Sequence, residues 1–313
     1  MRNAMPFVLL CSLVAAQDEK SSEPIPLPEV QAAMARAKVH NERVLFVCAD
    51  PADGLLKKLK ATRELSEPML YEFEIVELHG AHAKKWLGDE EMPALVIADD
   101  EGKVLARFAR DTFLDEDGNV DAAVLDKWKP HFCKPVDANQ KLQAALGDAK
   151  STGRHVLVRF SAPWCGWCKV LERFLDRPKT NRIYRQGWVD LMIDVERDTG
   201  GKAINEKWKG ARKGGLPWIV ILDGDGNEVV SSNVQGGEHD GANIGGPRAD
   251  WEQAWFIEML RKSAGNRVGP DELRVIERDL AEYSTPSPKP PAPNPEPGPK
   301  RAPAPVDGAS PNG

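Results

Sequence analysis

Two cysteines separated by two residues, Cys165 and Cys168 in the run Ala162-Pro163-Trp164-Cys165-Gly166-Trp167-Cys168-Lys169, are the side chains in this sequence best suited to covalent chemistry. At the start of a helix, this spacing puts the sulfurs about one turn apart on one face, within the Cα separation that a disulfide tolerates. The pair can then open and close with little backbone movement. The first sulfur lies where unpaired N–H groups and the helix dipole favour an anion, which lowers a thiol pKa from ~8.5 toward roughly 3.5–7.5. On these grounds Cys165 is the attacking thiolate, and Cys168, one turn deeper, resolves the mixed disulfide. The chemistry is reversible thiol–disulfide exchange. A structural disulfide or half of a zinc site would use the same spacing, but a zinc ribbon needs a second Cys-x-x-Cys pair and the sequence has none.

The elements that must position this pair are a strand and the helix that follows it. His155-Val156-Leu157-Val158-Arg159-Phe160 is apolar and β-branched enough for a buried strand, and the stretch from Lys169 to Asp176 has helical spacing before Pro178. The same design occurs twice. Gln31-Ala32-Ala33-Met34 matches Gln143-Ala144-Ala145-Leu146, an offset of 112, which continues through Val44 to Val47 against Val156 to Arg159, then Pro51, Gly54 and Lys57 against Pro163, Gly166 and Lys169. Further on, Met92-Pro93-Ala94-Leu95-Val96-Ile97-Ala98-Asp99 matches Leu216-Pro217-Trp218-Ile219-Val220-Ile221-Leu222-Asp223 at an offset of 124, so the second copy has a longer middle. Each copy reads as helix, strand, motif helix, strand, Pro-led strand, turn, strand and final helix. The first copy has Asp53 and Leu56 where the second has Cys165 and Cys168, so it cannot do dithiol chemistry. It is either a degenerate duplicate kept for stability or a module that docks substrates or dimerises.

A length of 313 residues suits two ordinary domains, and a hydrophobic content of 41% is enough for two cores. The net charge of −6, with acidic and basic residues interspersed, gives nucleic acid or an anionic membrane no patch to bind and leaves proteins as the expected partners. Residues 1–16 read as a secretory signal peptide: Arg2, an apolar core from Met5 to Leu10, then Val14-Ala15-Ala16 before polar Gln17. No run is long enough for a comfortable membrane span, and Cys11 lacks the small residue before it that a lipid-anchor signal would show. The mature chain is thus expected to be exported, periplasmic or secreted, where disulfides form and need correction. Cys48, at the end of an apolar run, reads as a core thiol; Cys133 lies in a linker, and a Cys48–Cys133 bridge is one of the open pairings. The expected boundaries are 17–130 for the unit without the dithiol, 131–265 for the active unit, 266–283 for a helical extension and 284–313 for a disordered spacer rich in proline, alanine and glycine.

The Trp-Cys-Gly-x-Cys-Lys helix start after an apolar strand, with a Pro-led strand and a Gly-containing hairpin downstream, resembles the thioredoxin superfamily. The resemblance is strong over roughly Asp137 to Ala264 and weak over Glu29 to Lys129. The motif looks most like exported thioredoxin-like proteins that include disulfide reductases and isomerases of the bacterial envelope. It implies an α/β fold of two tandem units, each a central mixed sheet flanked by helices, and a cis peptide before Pro217 beside the cysteines. A cis X-Pro bond is the cheap way to reverse the backbone there. The exposed backbone of Leu216 is then free to pair with an extended substrate, and Trp164, Trp167 and Trp218 form an apolar rim around Cys165. Thioredoxins usually carry a buried Asp six residues before the first cysteine; this chain has Arg159. Arg159 either stabilises the thiolate as a nearby cation, which makes the couple more oxidising, or pairs with Glu172, one turn past Cys168, leaving that carboxylate as proton acceptor; because an unpaired buried cation is costly, the pairing is the favoured expectation. Lys169 closes the motif and joins these supporting residues.

The exchange needs no bound cofactor; its electrons come from, or go to, another thiol protein whose identity the sequence does not carry. Reductase, isomerase and oxidase all remain open because they differ only in reduction potential. The alternative from another class is a binding or scaffold protein with a vestigial dithiol. Other signals carry less. Asp223-Gly224-Asp225-Gly226-Asn227-Glu228 has Glu228 where a calcium loop needs Gly and reads as a hairpin turn. His79 and His82 lack further metal ligands. The stretch from Gly236 to Gly246 reads as a flexible insertion before a final helix whose Trp251, Trp255, Phe256, Met259 and Leu260 share a packing face.

Overall fold

The computed structural model describes residues 27–284, so the signal-peptide expectation for 1–16 and that of a spacer over 284–313, apart from Ser284 at the end of the last helix, lie outside the described residues. In chain order the first unit consists of α1 (Pro28–His40), β1 (Arg43–Cys48), α2 (Leu55–Ala61), α3 (Arg63–Glu72), β2 (Phe73–Leu78), α4 (Gly80–Leu87), β3 (Ala94–Ala98), β4 (Val104–Phe108) and a short α5 (Val124–Trp128). The second consists of α6 (Ala138–Thr152), β5 (His155–Ser161), α7 (Gly166–Leu175), α8 (Pro178–Gly187), β6 (Trp188–Asp194), α9 (Gly201–Lys209), β7 (Trp218–Leu222), β8 (Glu228–Ser231) and α10 (Asp250–Ser263), followed by α11 (Pro270–Ser284).

The two sheets have one topology: β2-β1-β3-β4 and β6-β5-β7-β8. In each, the first pair is parallel and the other two are antiparallel. This makes the chain an α/β protein of two mixed sheets flanked by helices, as the resemblance implies. The central strands are continuous apolar runs because both faces are covered. In the second unit, Leu157, Ile219 and Ile221 pack on one face under α7, α8, α10 and α11, whereas Val156, Val158, Phe160 and Trp218 pack on the other under α6 and α9. In the first, Val44 and Phe46 face α1 and α4, and Leu45 and Val47 face α2, α3 and α5. Both Pro-led strands begin after cis peptides, Met92–Pro93 and Leu216–Pro217.

Cys48 is buried in the first core as expected, and both it and Cys133 are free thiols, so no bridge joins them. The glycine-rich segment is an ordered loop rather than a flexible one: Val234 and Ala242 pair, Ile244 N–H donates to Ser232 O, and His239 stacks on Trp251 at 4.3 Å. A Cβ on Gly246 would lie 2.9 Å from Trp167 O, so this loop is seated against the first turn of α7 and tolerates little bulk there. From behind, α11 braces this helix and the next: Tyr283 Oη donates to Val170 O of α7 at 3.0 Å, while Asp279 accepts from Arg177 and Thr180 at the start of α8 at 2.7 and 2.6 Å.

The units meet at the C-terminal end of α1. A helix end leaves its last carbonyls unsatisfied, and Arg197 of the second unit supplies the donors: Nη1 to His40 O at 2.6 Å, and Nη2 to Asn41 O at 2.8 Å and Glu72 Oε2 at 3.2 Å. Arg197 is held by Asp194, whose Oδ1 accepts from the N–H groups of both Glu196 and Arg197 at 2.9 Å.

Candidate active site

β5 ends at Ser161, and the chain turns through Ala162-Pro163-Trp164 into α7, with Cys165 as its N-cap. Cys165 and Cys168 are disulfide-bonded with their Cα atoms 5.3 Å apart. The Cys168 N–H donates to Cys165 Sγ at 3.1 Å, so the first sulfur accepts one of the amide donors that the helix start leaves free. Both cysteines are nearly buried, and they pack with Ala162, Trp164, Val195 and Leu216. Leu216, directly before cis-Pro217, thus touches the cluster around the pair.

The three tryptophans separate. Trp167 is 40% exposed next to Cys168. Trp164 is half-buried, and its Nε1–H donates to Glu196 Oε1 at 2.9 Å. Trp218 is fully buried, packs its ring 5.8 Å from Phe160 and donates Nε1–H to Asn233 Oδ1 at 2.8 Å. It is therefore a core residue, and the expected rim loses it, because β7 is a central strand covered on both faces.

The expected Arg159–Glu172 pair does not form. Arg159 Nε and Nη2 donate to the two carboxylate oxygens of Asp190 at 2.8 and 2.9 Å, a bidentate contact, and the Tyr184 hydroxyl adds a third hydrogen bond to Asp190 at 2.9 Å. Burial would raise the Asp190 pKa, but the guanidinium's charge and these bonds hold it below the usual range. Asp190 wins because β5 and β6 are parallel neighbours, with Leu157 opposite Asp190 and Arg159 opposite Met192, which places the fork directly against the carboxylate. Glu172 bonds across the unit boundary, its Oε1 lying 2.8 Å from His40 Nε2. Burial opposes charge on both groups. Even so, the bond and mutual attraction hold Glu172 below and His40 above their ordinary values, with Arg159 adding to the first and Glu42 to the second. Lys169 is exposed on α7 and faces the boundary; its charge lowers the pKa of buried Glu42, which burial nevertheless pushes up to about 7.

The residues not anticipated from the sequence are Asp190, His40, Tyr71 and Glu196. A lone carboxylate in the apolar run from Trp188 to Ile193 beside a lone cation in β5 was a signal for the first. The other three depend on how the units pack. Among the described residues no group of side chains is arranged to hold a metal ion, and no helix is long and apolar enough to cross a membrane.

The thioredoxin-like family model Thioredoxin_7 matches residues 137–224, which run from the cap of α6 to the turn after β7. A thiol:disulfide interchange protein DsbD of Vibrio cholerae is 31% identical over 96 residues, covering 31% of this chain and 16% of that protein. The protein of the same name from Yersinia enterocolitica is 32% identical over 103 residues, covering 33% and 17%. The chain thus spans about a sixth of these curated relatives. Among solved structures, a disulphide isomerase from Xylella fastidiosa Temecula1 aligns at 18% identity over 48% of this chain and 92% of its own, with a TM-score of 0.28. The sheet order and the disulfide-bonded Cys-x-x-Cys at a helix start agree with this match, so the second unit of the chain is thioredoxin-like over residues 137–224.

Proposed function

We propose that this protein exchanges thiols and disulfides with protein substrates in an exported, oxidising compartment, with Cys165 as nucleophile and Cys168 as resolving thiol. The observation that carries the reading is the closed pair at the start of α7, where Cys165 Sγ accepts the Cys168 amide; the same bond that helps hold the oxidised sulfur would stabilise a thiolate after reduction. In the reducing direction the Cys165 thiolate attacks one sulfur of a substrate disulfide. A Cys165–substrate bond forms, the substrate S–S bond breaks, and the departing thiolate takes a proton. Cys168, deprotonated, then attacks Cys165 Sγ, which closes the internal disulfide and releases the second substrate thiolate. Two electrons pass from the dithiol to the substrate, and a second thiol protein must return them.

Supporting roles follow from position. Leu216 packs against the pair, which puts its backbone beside the cysteines for an extended substrate to add against, with Pro217 directly after it. Trp164 and Trp167 offer apolar contact, and Lys169 adds a cation one residue past Cys168. The name shared by the curated relatives, thiol:disulfide interchange protein, agrees with this chemistry. Export is supported by the leader-like composition of residues 1–16. Insulin reduction driven by dithiothreitol tests the whole reading: Cys165→Ser should abolish the acceleration, and Cys168→Ser should accumulate a mixed disulfide visible on a non-reducing gel. A Cys165→Ser chain as fast as wild type would sink it.

A further inference from the structure

A cleft of about 700 Å³ lies on the boundary between the units, lined from one side by Leu70, Tyr71 and Ile75 of α3 and β2, and from the other by Trp164 and Lys169. The volume is in the range of clefts that bind ligands. Trp164 belongs both to this cleft and to the cluster around the disulfide. Its indole is steered from the first unit as well: Glu196 takes Trp164 Nε1–H on one carboxylate oxygen and the Tyr71 hydroxyl on the other, at 2.9 and 2.7 Å. A unit without the Cys-x-x-Cys pair therefore builds one wall beside that pair and helps to set the side chain that joins wall to pair.

We propose that this cleft seats an extended, apolar segment of the substrate polypeptide, flanking the cysteine that Cys165 attacks, so that the first unit selects which polypeptides the second unit handles. The inference rests on the exchange reading and names its partner: an unfolded or partly unfolded protein segment. Two features favour that occupant. Cys165 itself is only 3% exposed, so a substrate must gain most of its contact from neighbouring surface. The cleft continues from the residue directly before Cys165, and beside the charged Glu42, Lys60, Glu67, Glu74 and Lys169 that also line it, its half-buried Leu70, Tyr71, Ile75 and Trp164 offer apolar contact that extended chains can cover without a fixed sequence.

The test is a fluorescence-anisotropy titration of the full oxidised chain with a short fluorescein-labelled peptide of alternating leucine and threonine that has no cysteine. Wild type should bind it. Leu70→Glu, which places a charge in the apolar wall, should weaken binding by about tenfold, and the milder Leu70→Thr by about threefold. Should Leu70→Glu melt early, Leu70→Thr alone decides. No binding by wild type, or equal affinity in a folded variant, overturns the proposal. So does a concentration-dependent dimer that blocks the probe, or tighter binding after deletion of residues 285–313, since either would put this chain's own segments in the cleft. Because the probe has no cysteine, its binding is independent of electron transfer: an inert Cys165 would defeat the exchange reading and leave the cleft standing.

Discussion

Replacing Asp190 by alanine strands a cation. Arg159 is 4% exposed and gives two hydrogen bonds to Asp190, so Asp190→Ala leaves a buried guanidinium without its hydrogen-bonded carboxylate and also frees the Tyr184 hydroxyl. Removing one partner of a buried pair costs about 3–5 kcal/mol. For a folding unit of roughly 150 residues each kcal/mol moves Tm by about 2–4 °C, which gives a fall of about 6–20 °C. Replacing both, Arg159→Met with Asp190→Leu, removes the attraction and the desolvation cost together and leaves mainly the orphaned Tyr184 hydroxyl, about 1–3 kcal/mol. The assay is a double-mutant cycle of urea melts on the oxidised chain, followed by circular dichroism. Asp190→Ala within about 1 kcal/mol of wild type, or a double variant as unstable as the sum of the singles, would refute the reasoning. A redox corollary follows: since the two charges cancel, the double variant should keep the Cys165–Cys168 potential within about 15 mV of wild type. A shift of about 30 mV or more would mean that Arg159 acts on the thiolate as an uncompensated cation.

The boundary between units should weaken as pH rises from 6 to 8. His40 has a raised pKa, so its contribution is fully present below about 6.5 and is lost above its folded value, while Glu42, pushed up to about 7, loses its contribution from about 4.5 up to that value. Glu172 works at the acid side: with a lowered pKa, its contribution is present above about 4.5 and fails as pH falls through its folded value. Limited proteolysis at pH 6 and 8 reads the change, and identical cleavage rates would count against it. Trp218→Phe orphans the buried Asn233 carbonyl oxygen and should cost about 1–3 kcal/mol while leaving KM for a protein disulfide unchanged. Trp167→Ala should do the reverse, with stability within about 0.5 kcal/mol of wild type and a raised KM; a KM effect from Trp218→Phe would restore it to the rim.

Sequence spacing was sufficient for the reactive pair, the strand-to-helix setting, the duplication and the proline-led strands, because each depends on residues close in the chain or on a pattern repeated at a fixed offset. Helix α1 ends at His40 and α6 at Thr152, and β1 starts at Arg43 and β5 at His155, each at the offset of 112 read from the residues. The polar partners were harder. Glu172 lies one turn past Cys168 on the motif helix, which makes it the expected partner of Arg159, yet strand pairing brings Asp190 to the guanidinium instead.

By itself, the sequence determined where a dithiol can close: only one of the two units has thiols at the start of its motif helix, and their spacing makes a disulfide possible wherever the rest of the chain lies. Tertiary structure alone decided what surrounds that disulfide. Parallel pairing of β5 and β6 chose the counter-ion of Arg159, two-sided coverage of β7 withdrew Trp218 from the surface, and the docking of α1 and α3 brought His40 and Tyr71 to the active unit. These are contacts between residues more than 30 positions apart, Trp218's bond to Asn233 excepted, and many alternative partners of like charge and polarity were available to each. Local spacing places thiols on a helix; only packing selects among distant partners, since the cost of an unpaired buried group is settled by whichever one the fold brings within reach.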